Sequence, residues 1–341
     1  MATIADIARR AGVSISTVSY ALSGKRPISP ATRQRVLDAI DELDFRPNQA
    51  GRALASKRSH TIAILYPTYE HALSEMPLEF VISAAGEAAR RGYSLLLSTS
   101  PSEDEEILRF IHQGFVDGLI LMEVKLDDPR VPLLRKHGYP FAMIGHCREN
   151  EGLSFVDLDF DHAVGIALEH LADLGHREIA LISRQLSLHE AGYGPSVRSV
   201  DGFVSASSRR GVAPIVRFSD QDPIGGYETT RLLLEEHPRL GAIVAINCEA
   251  IGGIMRAIRE AGLRVPNDFS IVGITSPRIA TLIAPALTTV DFPTDEMGRM
   301  GAELLIRRLE GGETEPTQCL LRARLAVRDS SGPYARPSPM R

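Results

Sequence analysis

No stretch of this sequence approaches the roughly 20 consecutive apolar residues that a membrane-spanning helix needs. Its first ten residues meet Asp6, Arg9 and Arg10 before any apolar run can build. A secretory leader is therefore not expected, and the chain is expected to stay in the cytoplasm. Tryptophan is absent, and the three cysteines (Cys147, Cys248 and Cys319) are widely scattered. Such a set makes neither a disulfide framework nor a metal site. Also missing are a Gly-x-Gly-x-x-Gly after a strand, a Walker loop, Gly-x-Ser-x-Gly and His-Glu-x-x-His. Without a glycine loop to cradle phosphate, a nucleotide-dependent enzyme is disfavoured, and no cofactor is expected. His162, His170 and His176 are neighbours in sequence, but no third ligand stands at zinc spacing. They are expected to be solvated helix residues. Glu103–Glu106 is read as an acidic helix start that the helix dipole favours.

What is present is ordinary in amount and uneven in distribution. The 341 residues are 44% hydrophobic and 24% charged, enough for two or three domains with real cores. The net charge is −5, yet residues 1–58 hold ten Lys/Arg against five acids, and the remainder holds 28 against 38. A basic head on an acidic body fits a polyanionic partner, because neutralised phosphates release counterions. A solvated basic surface is the equally available alternative on charge alone.

Caps and spacing divide the first fifty residues into three short helices. Thr3 and Asp6 form a capping box, after which Ile4, Ile7, Ala8 and Ala11 share a face. Gly12 suits a left-handed helix end. Ser14 is a good cap for a second helix with Val18, Ala21 and Leu22 inward. Ser29-Pro30 starts a third, with Val36, Leu37, Ile40 and Leu43 expected on its apolar face. Two small helices across a glycine turn, backed by a third, make a helix-turn-helix. Its second helix would enter the major groove with Ile15, Ser16, Thr17, Ser19 and Tyr20 outward. Ile15 can meet a thymine methyl, while Ser16 and the Tyr20 hydroxyl can bond base edges or phosphates. A small bundle for protein contacts is the alternative. The hydroxyl-rich face and basic excess favour DNA.

From His60 onward, strand-like runs alternate with amphipathic helices. The runs are 61–66, 94–98, 118–122, 141–145, 178–183, 215–218, 242–246 and 270–274, with helices closed at Gly92, Gly138, Gly175, Gly211 and Gly262. Near-continuously apolar strands alternating with helices mean parallel sheets covered on both faces. About 270 residues of this make two doubly wound lobes. Ligands of such folds bind in the crevice at the carboxyl ends of the strands.

The head resembles the DNA-binding domain of the LacI/GalR family of transcriptional regulators. The likeness rests on Thr3-Ile-Ala-Asp-Ile-Ala8, Ala11-Gly-Val-Ser14, Thr17-Val-Ser19 and the stretch from Ser29 to Phe45-Arg-Pro-Asn48. It continues through Leu174–Ala180, Ala257–Pro266, Pro285–Val290 and Glu303–Leu305. The resemblance implies an α/β chain in four parts: a helix-turn-helix head (1–46), a hinge helix (47–58), a two-lobed core like a periplasmic binding protein (59–330) and a disordered tail (331–341). It implies chain crossovers near Phe155–Asp159, Pro285–Asp291 and Arg322. Expected DNA contacts are Thr3, Ser14, Ile15, Ser16, Thr17, Ser19, Tyr20 and Arg26 in the head. In the hinge they are Asn48, Gln49, Arg52 and Leu54, with Leu54 as a minor-groove wedge. Expected ligand contacts are Tyr66, Tyr69, Glu75, Asp159, Arg198, Asn247 and Thr275. Three departures from the family pattern stand out. Cys248 replaces the acid after Asn247, Gly273-Ile-Thr275-Ser276 stands where many members carry aspartates, and Arg198 lies one residue early.

The resemblance thus implies a homodimeric regulator with no enzymatic activity. As a repressor of carbohydrate-utilisation genes, it would leave a palindromic DNA operator when a small sugar or oligosaccharide binds. A transporter's sugar-binding protein and a regulator that uses a non-sugar corepressor are the alternatives.

Overall fold

The computed structural model describes residues 2–23, 26–44, 58–67, 75–100, 103–312 and 315–334. The chain divides into two compact units, Met1–Ser59 and His60–Arg341. In the first, α1 (Ile4–Ala11), α2 (Ile15–Ser23) and α3 (Pro30–Glu42) surround Ile7, Ala8, Ala11, Val18, Ala21, Val36 and Ala39. Each helix starts where its cap dictates. The Thr3 hydroxyl accepts from the Asp6 amide at 3.3 Å while the Thr3 amide donates to the Asp6 carboxylate at 2.9 Å. The Ser14 and Ser29 hydroxyls accept from the Thr17 and Thr32 amides at 3.1 and 3.2 Å. Gly12, at φ +64°, turns the chain between α1 and α2. One expectation fails here. Leu37 and Leu43 are exposed, because a three-helix unit this small covers a narrow stripe of α3, and Val36, Ala39 and Ile40 fill it.

The second unit holds two six-stranded sheets. The elements of the first lobe are β1 (Thr61–Leu65), α4 (Glu75–Arg90), β2 (Ser94–Ser98), α5 (Glu103–Gln113), β3 (Gly118–Leu121), α6 (Arg130–Lys136), β4 (Phe141–Ile144) and β5 (Phe155–Leu158). Those of the second are α7 (Phe160–Asp173), β6 (Glu178–Ser183), α8 (Leu186–Glu190), α9 (Gly194–Arg210), β7 (Ala213–Phe218), α10 (Pro223–Glu236), β8 (Ala242–Ala245), α11 (Ile251–Glu260), β9 (Ser270–Thr275), α12 (Pro277–Leu282) and β10 (Thr288–Asp291). The chain then returns to the first lobe as α13 (Thr294–Leu309) and β11 (Gln318–Leu321), and ends in the second with β12 (Arg324–Ala326).

The strand orders are β11-β5-β4-β3-β1-β2 and β12-β10-β9-β8-β6-β7. Every pairing is parallel except β12 with β10. The central strands are buried on both faces, as helix-covered parallel strands must be. Three crossovers join the lobes, at Asp159, at Phe292-Pro293 and at Arg322-Ala323. All three fall within or beside the expected segments. The second lets α13 pack closely on α4, where a side chain at Gly298 would strike the Phe80 backbone.

The expected tail needs correction at its start. Ser330 is buried, with its hydroxyl donating to the Ile271 carbonyl at 2.7 Å, and the Tyr334 amide donates to the Leu174 carbonyl at 2.8 Å. Residues 331–334 are therefore fixed against the second lobe. The sequence hid this, since small polar residues and prolines read as tail until their partners are known.

Candidate functional site

Two surfaces carry chemistry. The first is α2. Ile15 is 52% exposed and Ser16 is exposed beside it, while Thr17, Ser19 and Tyr20 are half-buried. The hydroxyls of Thr3, Ser14 and Thr17 are already engaged in caps, with Ser14 Oγ and Thr17 Oγ1 2.9 Å apart. That leaves Ile15 and Ser16 as the outermost groups, beside the exposed Arg26, whose guanidinium lies 5.4 Å from the Tyr20 ring centroid. Asn48, Gln49, Arg52 and Leu54 lie outside the described residues.

The second is a cleft between the lobes of the core, of about 700 Å³ with its open mouth included. Its walls are set by the carboxyl ends of strands. Tyr66 follows β1, Met122 and Glu123 follow β3, Gly145 follows β4, Arg184 follows β6 and Ile246 follows β8. From the helices and crossovers come Met76, Phe80, Phe160, Phe292 and Met297. The polar centre is a three-membered network across the lobes. Arg184 Nη1 donates to Glu123 Oε2 at 3.2 Å and to the Tyr193 hydroxyl at 2.9 Å, and that hydroxyl donates to Glu123 Oε1 at 3.0 Å. Burial alone would lower the Arg184 pKa, but Tyr193 and Glu123 outweigh it and hold the guanidinium well above its usual range. Burial pushes the phenols of Tyr66 and Tyr193 up, with Glu123 adding to both.

The loop that presents Glu123 is rigid for visible reasons. Arg130 and Asp128 form a buried pair at 2.7 Å, and Arg130 Nη2 also donates to the Met122 carbonyl at 2.9 Å. Glu123 itself sits at φ +53°, a left-handed conformation uncommon for a residue with a side chain. Beyond it, the Leu126 amide donates to the Gly192 carbonyl at 2.7 Å and the Gly194 amide to the Val124 carbonyl at 3.1 Å. The lobes are thus stitched by backbone on one side of the cleft.

Of the expected ligand contacts, Tyr66 lines the cleft, and Tyr69 lies outside the described residues. The other five are beside it and not among its lining residues. Glu75 pairs with Arg278 at 3.0 Å, one lobe to the other. Asp159 caps α7 by accepting from the His162 amide at 3.0 Å. Arg198 donates to the carbonyls of His146 and Cys147 at 2.8 and 3.1 Å, and lies 3.9 Å from Asp157. Asn247 and Thr275 each follow a lining isoleucine, Ile246 and Ile274, and successive residues of an extended chain face opposite ways. Asn247 accordingly donates to the Ser219 and Asp220 loop, at 2.9 Å to the Asp220 carbonyl. The groups overlooked were Glu123, Asp157, Arg184 and Tyr193. Glu123 and Arg184 were findable, since each is an ionisable residue within two positions of the end of a buried strand at the crevice end.

The histidines also differ from expectation. His176 is buried, with Nε2 3.0 Å from Ser270 Oγ. Among the described residues no group of three or more His, Cys, Asp or Glu is arranged to hold a metal. Nor is any described helix long and apolar enough to cross a membrane.

Comparison with known proteins gives this pairing of head and cleft a precedent. Residues 3–48 match the bacterial regulatory proteins of the lacI family, and residues 168–331 match the periplasmic binding protein-like domain. The HTH-type transcriptional regulator CelR of Thermobifida fusca is 32% identical over 337 residues, 96% of this chain and 98% of its own length.

The chain belongs to the LacI family.

A solved complex of CelR with cellobiose superposes with a TM-score of 0.73 at 30% identity, covering 97% of this chain and all of that one. The lac repressor dimer bound to operator and the anti-inducer ONPF gives 0.84 at 26% identity, covering 97% and 99%. As a LacI-family member the chain is a DNA-binding transcriptional regulator and not an enzyme.

Proposed function

We propose that this chain is a homodimeric repressor that reads a palindromic operator through α2 and releases it when a small effector fills the interlobe cleft. The observation that carries the reading is the joint presence, in one chain, of a capped reading helix with Ile15 and Ser16 outermost and a lobe-spanning cleft where buried Arg184 and Tyr193 meet the half-buried Glu123. The cleft couples because it is built from both lobes, so an effector that favours one lobe arrangement shifts the dimer's geometry. Exposed apolar residues support self-association. Leu78 and Ile82 share one face of α4, and Ile224 and Leu282 are exposed on the second lobe. The cellobiose complex of a relative supports a carbohydrate-derived effector and control of carbohydrate-use genes. Leu54 and the rest of 47–58 are assigned to the hinge by family likeness.

The test is an operator selection followed by substitution. Ser16→Ala and Ile15→Ala should each weaken selected-operator binding by about 1–3 kcal/mol, the worth of a good base contact, and leave non-specific DNA binding nearly unchanged. Equal losses on both DNAs would remove α2 from base reading.

A further inference from the structure

The chain spans its own cleft. Glu123 follows β3 in the first lobe, while Arg184 and Tyr193 belong to the second, so both bonds made by the Glu123 carboxylate cross the gap. The lobes also meet through Ser276 Oγ, which donates to Glu79 Oε1 at 2.8 Å, and through the pair of Arg278 with Glu75 at 3.0 Å. Arg198 of α9 reaches over to the His146 and Cys147 carbonyls beyond β4. In proteins whose lobes close around a ligand, the ligand supplies many such bridges. Here side chains and backbone supply them.

Charge makes one of these bridges one-sided. The Arg184 and Glu123 side chains are 7% and 13% exposed, so the closed lobes keep two opposite charges largely out of water. Removing one partner of such a pair strands the other. Parting the lobes would hydrate both. Loss of either charge therefore penalises the closed arrangement and spares the open one. Glu249 also attracts Arg184, but from the same lobe. The backbone points the same way, because Glu123 sits at φ +53°. A left-handed residue with a side chain persists where its surroundings over-determine it, and such residues gather at switches.

We propose that Glu123, Arg184 and Tyr193 form a latch that holds the lobes closed without an effector, and that opening this latch loosens the head on DNA. The first half concerns the core alone, and the second rests on the reading of the cleft as the control site. An effector then acts by parting Glu123 from Arg184.

Hydrogen exchange resolved to single amides, on the full-length protein without DNA or added ligand, tests the latch. The Leu126 and Gly194 amides donate across the gap, to the Gly192 and Val124 carbonyls at 2.7 and 3.1 Å. Those of Ile120 and Val244 lie in central strands, one in each sheet. In the wild type all four should be protected. Tyr193→Phe keeps the ring and removes the hydroxyl. It should speed exchange at Leu126 and Gly194 tenfold or more and leave Ile120 and Val244 unchanged. Glu123→Gln should speed it further, and adding Arg184→Met should slow it again, since no charge is then stranded. Fast exchange at Leu126 and Gly194 in the wild type overturns the proposal. So does unchanged exchange in Tyr193→Phe, or equal acceleration there at Ile120 and Val244, which would be loss of the fold. Tyr193→Phe decides even if Glu123→Gln fails to fold.

Affinity of the same variants for a selected operator separates this proposal from the reading beneath it. It should fall tenfold or more, in step with exchange. Fast exchange with wild-type operator affinity upholds the latch and refutes control of DNA by the cleft. Weakened operator binding with wild-type exchange refutes the latch and leaves that control standing.

Discussion

His176 lies under the segment 330–334, with its ring 5.3 Å from that of Tyr334 and its Nε2 3.2 Å from the Gly332 carbonyl. Burial lowers its pKa to about 4 from an ordinary value near 6.5. Because the folded pKa is depressed, the unfolded chain binds more protons between these values, so stability is intact above about pH 6.5 and is lost as pH falls toward 4. Denaturant unfolding at pH 7 and pH 5 should differ by about 2 kcal/mol from this group, and His176→Gln should flatten the difference. An unchanged pH slope in that variant would show that His176 is not the source. Arg184 gives a second residue-scale expectation. Arg184→Ala strands Glu123 and should cost about 3 kcal/mol, while the pair Arg184→Met with Glu123→Gln should recover part of it. A double variant as unstable as the two losses added would refute the pairing. Single residues were also where the sequence was least legible. Asp159 was expected at the cleft and Asp157 is there, because two residues along one crossover separate a lining carboxylate from a helix cap.

Elements were far more legible than residues. Caps, glycine ends and apolar runs placed the three head helices and eight strands close to their observed bounds, since each signal is local. The strands not recognised as such were β5, β10, β11 and β12, all at or beside crossovers. Edge strands β11 and β12 are only half-covered and lack the continuous apolar run of a central strand. Packing between elements was invisible as well, and α11 shows what it demands. Gly252 faces open space, while a side chain at Gly253 would collide with the Pro223 carbonyl and the Tyr227 amide of α10. Gly252→Ala should therefore raise stability by about 0.5–1 kcal/mol through helix propensity. Gly253→Ala should lower it by about 1–3 kcal/mol through overpacking. Thermal unfolding of the two variants checks the contrast, and similar shifts in both would contradict the α10–α11 contact.

For the whole molecule, the charge asymmetry read from composition becomes a statement about binding. A basic head on an acidic core should give non-specific DNA affinity that falls steeply with salt, on the order of a thousandfold from 50 to 200 mM if six phosphates are met. Affinity that stays flat over this range would count against phosphate contact. Fold and family were legible because motif, alternation and charge all agree across the chain. The ligand was not, because cleft walls come from segments distant in sequence. In the proposed mechanism the core's cleft controls the head's grip on DNA, which operator affinity measured with and without a saturating cleft ligand reads out. In the wild type the ligand should weaken operator binding by about 1–3 kcal/mol, roughly 5- to 150-fold. Operator affinity unmoved by a ligand that calorimetry shows to fill the cleft would mean that the cleft does not control DNA binding.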